Sequence, residues 1–458
     1  MTPEQQDFWF LPLGGTGEIG MNMNLYGHNG QWLMVDCGVI FDKNNDIDGE
    51  VIVSDRPHIQ MADPQFIVER RQKLAGLVIT HAHEDHIGAV PYLWRRLKCP
   101  IYTTKFTAEI LRRKLVEVGL EGKVPVTVVE GDEQVEIGVF NVQWIALTHS
   151  IPEPFGMVIS TPVGKVFHTA DWKLDNNPVI GQCYDEKLYR DLAKQNIDAM
   201  VCDSTNANMP GWSESEAKLY KGLKQHIENA TGRVIVTCFG SNLARLHTLA
   251  RIAKETNRHL GLLGRSMINM MSAAKSTRLW TTVETHIDSA HLGYLPASTV
   301  LLVVTGSQGE PRTALNRLST NSFRDMTLEP GDTVIFSSKV IPGNELPIEQ
   351  MIERLKAMKV DVITDDNSEL SIHASGHPSA DELKAMYQWV KPRCAIPVHG
   401  EPHHINANAS VAKIAEVDHQ LLGSNGDLYF ISPAIGIRRH AVKTGRLGIK
   451  NNALVKLG

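Results

Sequence analysis

The sequence predicts an α/β protein with two unlike halves. The first two hundred residues read as short β-branched strands separated by turn residues, with few helices. From near Asp203 onward, strands and helices alternate at the spacing of a parallel sheet covered on both faces. A length of 458 residues calls for two or three cores rather than one.

In the first half, strands are expected at Phe8–Leu13, Trp32–Val35, Leu77–Thr80, Val124–Val129, Val142–Leu147, Met157–Thr161 and Lys165–Phe167. Helices are expected at Ala89–Leu97 and Thr107–Glu117. In the second half, helix Ser213–Asn229 leads to strand Arg233–Cys238, helix Asn242–Glu255 and strand His259–Leu263. Strands Val300–Val304 and Thr333–Phe336, helix Pro347–Met358 and strand Val360–Thr364 continue the alternation. Helix Asp381–Val390 and strand Cys394–Pro397 close it.

Composition narrows the class. Hydrophobic residues make up 42% and charged residues 21%, a globular balance that excludes a disordered or fibrous chain. No apolar run approaches the roughly 18 residues of a membrane helix, and the N-terminus has no basic or apolar leader, so neither membrane insertion nor secretion is expected. The six cysteines are scattered without a CxxC pair, which argues against a cysteine-only zinc module or a disulfide scaffold. A reduced, cytoplasmic protein is the expectation. Formal net charge is −5, yet residues 218–278 carry eleven Lys/Arg against two Glu, and residues 431–458 carry six against none. Such stretches suit either a polyanion or solvated helix faces.

Nineteen histidines are the unusual count. Thr80-His81-Ala82-His83-Glu84-Asp85-His86 follows an apolar strand and offers four N/O donors of the kind Zn²⁺ or Mn²⁺ accepts. In extended backbone, residues two apart point the same way, so His81 and His83 grip one ion. A turn then redirects Asp85 and His86 toward a second. Two ions need more ligands, and His149, Asp171 and His399 each sit just past a strand-like segment. A carboxylate such as Asp171 can bridge two cations. Two ions about 3.5–4 Å apart suit phosphodiester hydrolysis, because a water between them loses its proton near neutral pH.

The leaving oxygen needs a proton. Ile372-His373-Ala374-Ser375-Gly376-His377 offers His377 as donor, and Asp203 is placed to orient it. Gly376 permits close backbone approach, while Ser375 and nearby N–H groups suit a phosphate. The candidate catalytic residues are thus His377, Asp203 and Asp85. Gly15-Thr16-Gly17-Glu18-Ile19-Gly20 matches GxGxxG, but Met21–Gly27 reads as a hairpin rather than the helix a dinucleotide site requires. A glycine turn under the metal site is expected instead.

These residues resemble the metallo-β-lactamase superfamily and, within it, the β-CASP nucleases of the ribonuclease J family. The resemblance rests on Leu13–Gly20, His81–His86, Asp203-Ser204-Thr205-Asn206, Gly264-Arg265-Ser266-Met267, Thr305–Pro311 and Ile341-Pro342-Gly343-Asn344. It implies an αββα metallo-β-lactamase sandwich over residues 1–205 and 371–458, with a β-CASP domain inserted at 206–370. It implies one zinc on His81, His83 and His149, a second on Asp85, His86 and His399, and Asp171 bridging, with Mn²⁺ as the alternative metal. Substrate phosphate would be held by Gly240, Ser241 and Asn242 and by His373, Ala374, Ser375, Gly376 and His377. The implied substrate is single-stranded RNA with a 5′ monophosphate, cut by endonuclease and 5′-to-3′ exonuclease action as it threads between the domains. Two features depart from the family. No C-terminal dimerisation domain is expected after Asn425–Leu428, which leaves homo-oligomerisation open, and Asp42–Asp48 is less rich in glycine and proline. From the residues alone, a hydrolase acting on DNA or on a small ester or phosphodiester stays open, as does a non-catalytic RNA-binding subunit.

Overall fold

The computed structural model describes residues 1–41, 57–131, 133–281, 286–341 and 343–457. The segment Asp42–Asp48, and Pro342 of the Ile341–Asn344 motif, lie outside the described residues.

Two large sheets lie face to face. One has eight strands, with Phe8–Gly14, Met23–His28, Gln31–Val35 and Leu74–Val78 as consecutive neighbours near its centre. The other has seven, in which Gly164–His168, Ala199–Asp203 and Cys394–Val398 run parallel side by side. Between the sheets, Phe8, Phe10, Tyr26 and Val35 of the first meet Trp144, Ile159, Val201 and Ile396 of the second. The outer face of the first sheet buries Leu25, Met34 and Leu77 against helices Val90–Leu97 and Lys105–Glu117. The outer face of the second buries Phe167 and Met200 against helices Glu186–Ala193, Ala380–Val390 and Pro402–Ile414. The central strands are therefore apolar on both faces, and the layers read helix, sheet, sheet, helix.

Between Ala199–Asp203 and Cys394–Val398 the chain builds a third sheet of five parallel strands. Their order is His259–Leu263, Val300–Val304, Val234–Thr237, Thr333–Phe336 and Asp361–Ile363. Its two faces bury separate cores, with Val236, Leu249 and Met271 on one side and Leu302, Val334 and Met351 on the other. The first of these cores also takes in Ala82, Phe106, Ile110 and Ile151 from the sandwich, so apolar packing continues across the junction.

One expectation needs correction and one needs refinement. The helix read as Ser213–Asn229 starts later: a 3₁₀ turn spans Glu216–Lys218 and the α-helix spans Leu219–Asn229. Ser213 instead gives its backbone N–H and its hydroxyl to the buried Glu382 carboxylate (2.7 and 2.9 Å), which holds the chain extended as it crosses between units. The cationic stretch 218–278 is divided: Arg233, Arg245 and Arg258 are buried, whereas Lys218, Lys221, Arg251, Lys254, Arg265, Lys275 and Arg278 are exposed. Lys218, Lys224, Arg233, Arg245 and Arg251 are ion-paired. Arg258 caps the carbonyls of Ala230, Gly232 and Val300. In the C-terminal stretch, Arg439, Arg446 and Lys456 pair with Asp427, Glu18 and Asp63.

Candidate active site

Every predicted ligand sits at the C-terminal end of a strand. The spacing of parallel strands, about 4.8 Å, therefore sets the spacing of the ligands. Asp171, Asp203 and His399 follow or end the three adjacent parallel strands of the second sheet. His149 follows Phe140–Ala146 in the same sheet, and His81–His86 follows Leu74–Val78 in the other. His83 is extended (ψ 149°) before the one-turn helix Glu84–Ile87, which swings Asp85 and His86 away from His81 and His83.

Two clusters result. In the first, His83 Nδ1 lies 3.1 Å from His81 Nε2 and 3.0 Å from His149 Nε2. Asp171 Oδ2 stands 4.0 Å from both of those Nε2 atoms. In the second, His399 Nε2 is 3.1 Å from Asp85 Oδ2, and His86 Nε2 is 3.2 Å from Asp171 Oδ2. The other oxygen of Asp171 is 3.1 Å from His399 Nδ1. Asp171 belongs to both clusters and is 3% exposed.

The donor set fits divalent cations. His149 Nδ1–H donates to Gly376 O (2.5 Å), His86 Nδ1–H to Asp36 Oδ2 (2.7 Å) and His81 Nδ1–H to Thr80 Oγ1 (2.9 Å). Those bonds leave the Nε2 lone pairs of all three rings turned inward. Nitrogens each about 2.0–2.1 Å from a tetrahedral ion stand roughly 3.3 Å apart, close to the separations seen here. Burial and the neighbouring His86 hold His81 well below the usual imidazole range, and burial pushes His83 down to about 4, so both rings are in the neutral, ligating form. In the second cluster, carboxylates and imidazoles pair with one another. Burial alone would raise Asp85 and Asp171, but His86 and His399 hold both well below the carboxylate range. The same carboxylates raise His86 and His399 against the effect of burial.

Next to Asp171 stands the dyad. His377 Nδ1–H donates to Asp203 Oδ2 at 2.8 Å and lies 3.9 Å from Asp171 Oδ2. Burial would lower the His377 pKa, but the Asp203 charge raises it, which favours the imidazolium. Asp203 is fixed by the N–H and hydroxyl of Thr205 (2.9 and 2.7 Å). Ser375 Oγ accepts from Asn206 Nδ2 (2.6 Å) and from His377 N (3.2 Å), tying the 373–377 loop to the Asp203 strand end. A Cβ on Gly376 would lie 2.7 Å from the His149 ring, so only glycine lets this loop press on a metal ligand. His373 Nδ1 is buried with no hydrogen-bond partner, and Ala374 is packed in the core.

Gly240, Ser241 and Asn242 follow strand Val234–Thr237 in the inserted unit. The Asn242 side chain is already engaged: Oδ1 caps a helix by accepting from Arg245 N (2.9 Å), and Nδ2 donates to Glu216 Oε1 (3.2 Å). Gly240 and Ser241 remain for a ligand. The link from this loop to the 373–377 loop runs through Arg245, whose guanidinium reaches Ser337 O (2.6 Å) and Ile372 O (3.5 Å).

Asp36 was missed by sequence reasoning. It lies behind the site at 1% exposure, accepting from His86 Nδ1 and from the N–H and hydroxyl of Thr80 (2.9 and 3.0 Å). A carboxylate behind a ligating imidazole fixes its tautomer and raises its basicity. The signal was present, since Asp36 directly follows strand Gln31–Val35 as the other ligands follow theirs. Asp36, Ala170 and His399 all have positive φ (63°, 54° and 50°), so strained backbone gathers at this site. The glycine turn is also in place, with Gly15 O accepting from His399 N (2.6 Å).

A sandwich of this layering with a buried His/Asp double cluster at one edge, interrupted by a parallel-sheet insert, defines a metal-dependent hydrolase of the metallo-β-lactamase superfamily carrying a β-CASP domain. Family models agree: residues 17–195 match the metallo-beta-lactamase superfamily, 231–355 the ribonuclease J beta-CASP domain, and 370–420 the Zn-dependent metallo-hydrolase RNA specificity domain. The chain is 39% identical over 434 residues to ribonuclease J of Sinorhizobium meliloti, covering 94% of this chain and 75% of that one. It is 33% identical over 430 residues to ribonuclease J of Thermus thermophilus, covering 92% and 73%. The chain belongs to the ribonuclease J family. A crystal structure of a protein of unknown function from Enterococcus faecalis shares the fold, with a TM-score of 0.62 at 14% identity over 93% of this chain and all of that one. Among the described residues, no helix is long and apolar enough to cross a membrane.

Proposed function

We propose that this protein is a two-metal ribonuclease that hydrolyses phosphodiester bonds in single-stranded RNA and favours a 5′ monophosphate. The observation that carries the reading is the placement of the His377–Asp203 dyad beside Asp171, the one carboxylate common to both clusters. The kinship to ribonuclease J supports RNA as the substrate.

In this reading His81, His83, His149 and Asp171 hold one ion, and Asp85, His86, His399 and Asp171 hold the other. Zinc suits the imidazole-rich set best, and Mn²⁺ is the alternative. Such a pair supplies a water of lowered pKa and neutralises charge on the phosphoryl oxygens. The chain does the rest. Asp203 keeps His377 protonated, and the imidazolium donates a proton to the leaving oxygen. Ser375 and the N–H groups around Gly376, in the loop that His373 opens, receive the phosphate. The domain boundaries proposed with this function are 1–205 and 371–458 for the hydrolase sandwich and 206–370 for the insert. Both endonuclease and 5′-to-3′ exonuclease action in the cytoplasm fit the family, and a homo-oligomer is compatible with it.

The test is to incubate purified protein with Zn²⁺ or Mn²⁺ and matched RNAs bearing 5′-monophosphate or 5′-hydroxyl ends, alongside DNA of the same sequence. Cleavage of RNA that is faster for the monophosphate end and lost in His377→Ala is the expected result. No cleavage of RNA, with DNA or a small phosphodiester consumed instead, overturns it.

A further inference from the structure

Glu382 is fully buried in the first turn of helix Ala380–Val390, shortly after His377 in the chain. Four donors converge on its carboxylate, two on each oxygen. Oε1 accepts from Leu174 N (2.8 Å) and Ser213 Oγ (2.9 Å), and Oε2 accepts from Ser213 N (2.7 Å) and Ser379 N (2.9 Å). All four donors are neutral, whereas the Glu216 carboxylate rests on the Arg245 guanidinium. A helix cap needs only the Ser379 bond. The other three reach outside the helix, to two segments distant in the chain.

Each of the joined segments leads to a reacting group. Leu174 stands three residues after Asp171. Between them, Lys173 is bonded to Thr148 through its N–H (2.8 Å) and its carbonyl (2.6 Å), next to His149. Ser379 stands two residues after His377, and the buried Pro378 between them fixes one backbone dihedral of that link. Ser213 lies on the segment that leaves Asp203. The start of the helix is sewn to that segment by Ala380 N on Met209 O (2.9 Å) and Asp381 N on Gly211 O (3.1 Å). One carboxylate thus joins the loop of the shared metal ligand, the loop of the dyad histidine and the chain running from the dyad aspartate.

We infer that Glu382 is a positioning residue for the proton transfer: by clamping the Leu174, Ser213 and Ser379 segments, it sets His377 in its place beside Asp171. The inference rests on His377 as proton donor and deepens that reading. In the step, a water loses one proton to solvent and adds to phosphorus. The bond from phosphorus to the 3′ oxygen breaks with its electron pair on that oxygen, which takes the proton of His377 Nε2, since Nδ1 is held by Asp203. Loss of the 3′ oxygen leaves a 5′ monophosphate on the next nucleotide, the end the protein favours. A donor displaced by about 1 Å loses roughly 10²-fold in rate.

Glu382→Gln breaks the clamp selectively. Its amide must set an NH2 group against one of the two donor pairs. Turned toward Leu174 N and Ser213 Oγ, it opposes only the Leu174 N–H, because the hydroxyl can rotate to accept. The bonds to Ser213 N and Ser379 N stay, and with them the fold.

The experiment measures rates with Zn²⁺ at saturating 5′-monophosphorylated RNA, for an ordinary linkage and for one with sulfur in place of the 3′ oxygen. A thiolate leaves without a proton, so the sulfur linkage does not need the donor. His377→Ala calibrates the pair: it should lose the oxygen linkage and keep most of its rate on sulfur. Glu382→Gln should follow the same pattern, with kcat on the oxygen linkage down about 10²-fold. Its rate on sulfur, its KM and its bound zinc should stay near wild type. Ser213→Ala, which removes one hydroxyl donor, should show a smaller loss confined to the oxygen linkage, and it carries the test if Glu382→Gln does not fold. Equal slowing of both linkages, a loss that follows zinc content, or wild-type rates on oxygen in the variants that fold overturns the positioning role and leaves His377 as donor. Failure of sulfur to restore His377→Ala overturns the donor reading and this inference with it.

Discussion

Two buried charge centres lie close together in this molecule, and they are built to opposite ends. At the junction of the units, Arg245 is fully buried, with Nε and Nη2 on the Glu216 carboxylate (3.1 and 2.9 Å) and Nη1 on Ser337 and Ile372. Its charge is neutralised and its donors are satisfied by fixed protein groups. At the metal centre, imidazole lone pairs and carboxylate oxygens converge on one another with more electron pairs than protons to bridge them. The first arrangement is complete as it stands, and the second is complete only with cations. Burial and proximity alone therefore do not mark a site; an excess of convergent lone pairs does.

Removing the bridge should do most to collapse the second centre. Asp171→Ala takes a ligand from both clusters, and bound metal measured by elemental analysis should fall by at least one ion per chain. Activity should fall about 10³-fold or more, the scale of several kcal/mol of lost charge stabilisation. His377→Ala should lower kcat by about 10²–10⁴ while leaving the metal content unchanged. Asp203→Asn sharpens that result. The Asp203 charge holds the His377 pKa up, so its removal should move the alkaline limb of the pH–rate profile to lower pH.

The junction should answer through stability instead. Arg245→Met strands a buried carboxylate and should cost about 3–5 kcal/mol of unfolding free energy in denaturant melts, whereas Glu216→Gln paired with Arg245→Met should cost less. Burial pushes the Glu216 pKa up, but Arg245 wins and holds it below its ordinary value. Its contribution is thus fully present above the unfolded pKa of about 4.3 and is lost as pH falls through the lower folded value. Wild type should lose stability below about pH 4 more steeply than Glu216→Gln. The smallest effect is assigned to Asp36→Asn, which leaves every ligand in place and should weaken metal affinity about 10–100-fold by loosening His86.

The strands of both units were legible because they are β-branched and apolar, as in Val300–Val304 and Thr333–Phe336, which the structure places at the bounds the sequence predicted. The candidate ligands were legible because each follows such a strand. Helix Arg265–Ser276 was not read, since its methionines and serines carry little periodic signal. The hairpin Arg446–Lys450 with Ala453–Leu457 was hidden for a different reason: it is fixed by pairing with Ile59–Ala62, nearly four hundred residues earlier. Charge was the most misleading quantity. Arg233 and Arg245 look like nucleic-acid contacts in the sequence, yet Asp332 and Glu216 take them into the core.

Anomalous diffraction at the zinc edge from crystals grown with Zn²⁺ tests the central claim most directly. Two peaks about 3.5–4 Å apart, flanking Asp171, with His149 ligating one and His399 the other, are expected. A single peak, or two peaks that leave His149 or His399 unligated, contradicts the two-metal centre.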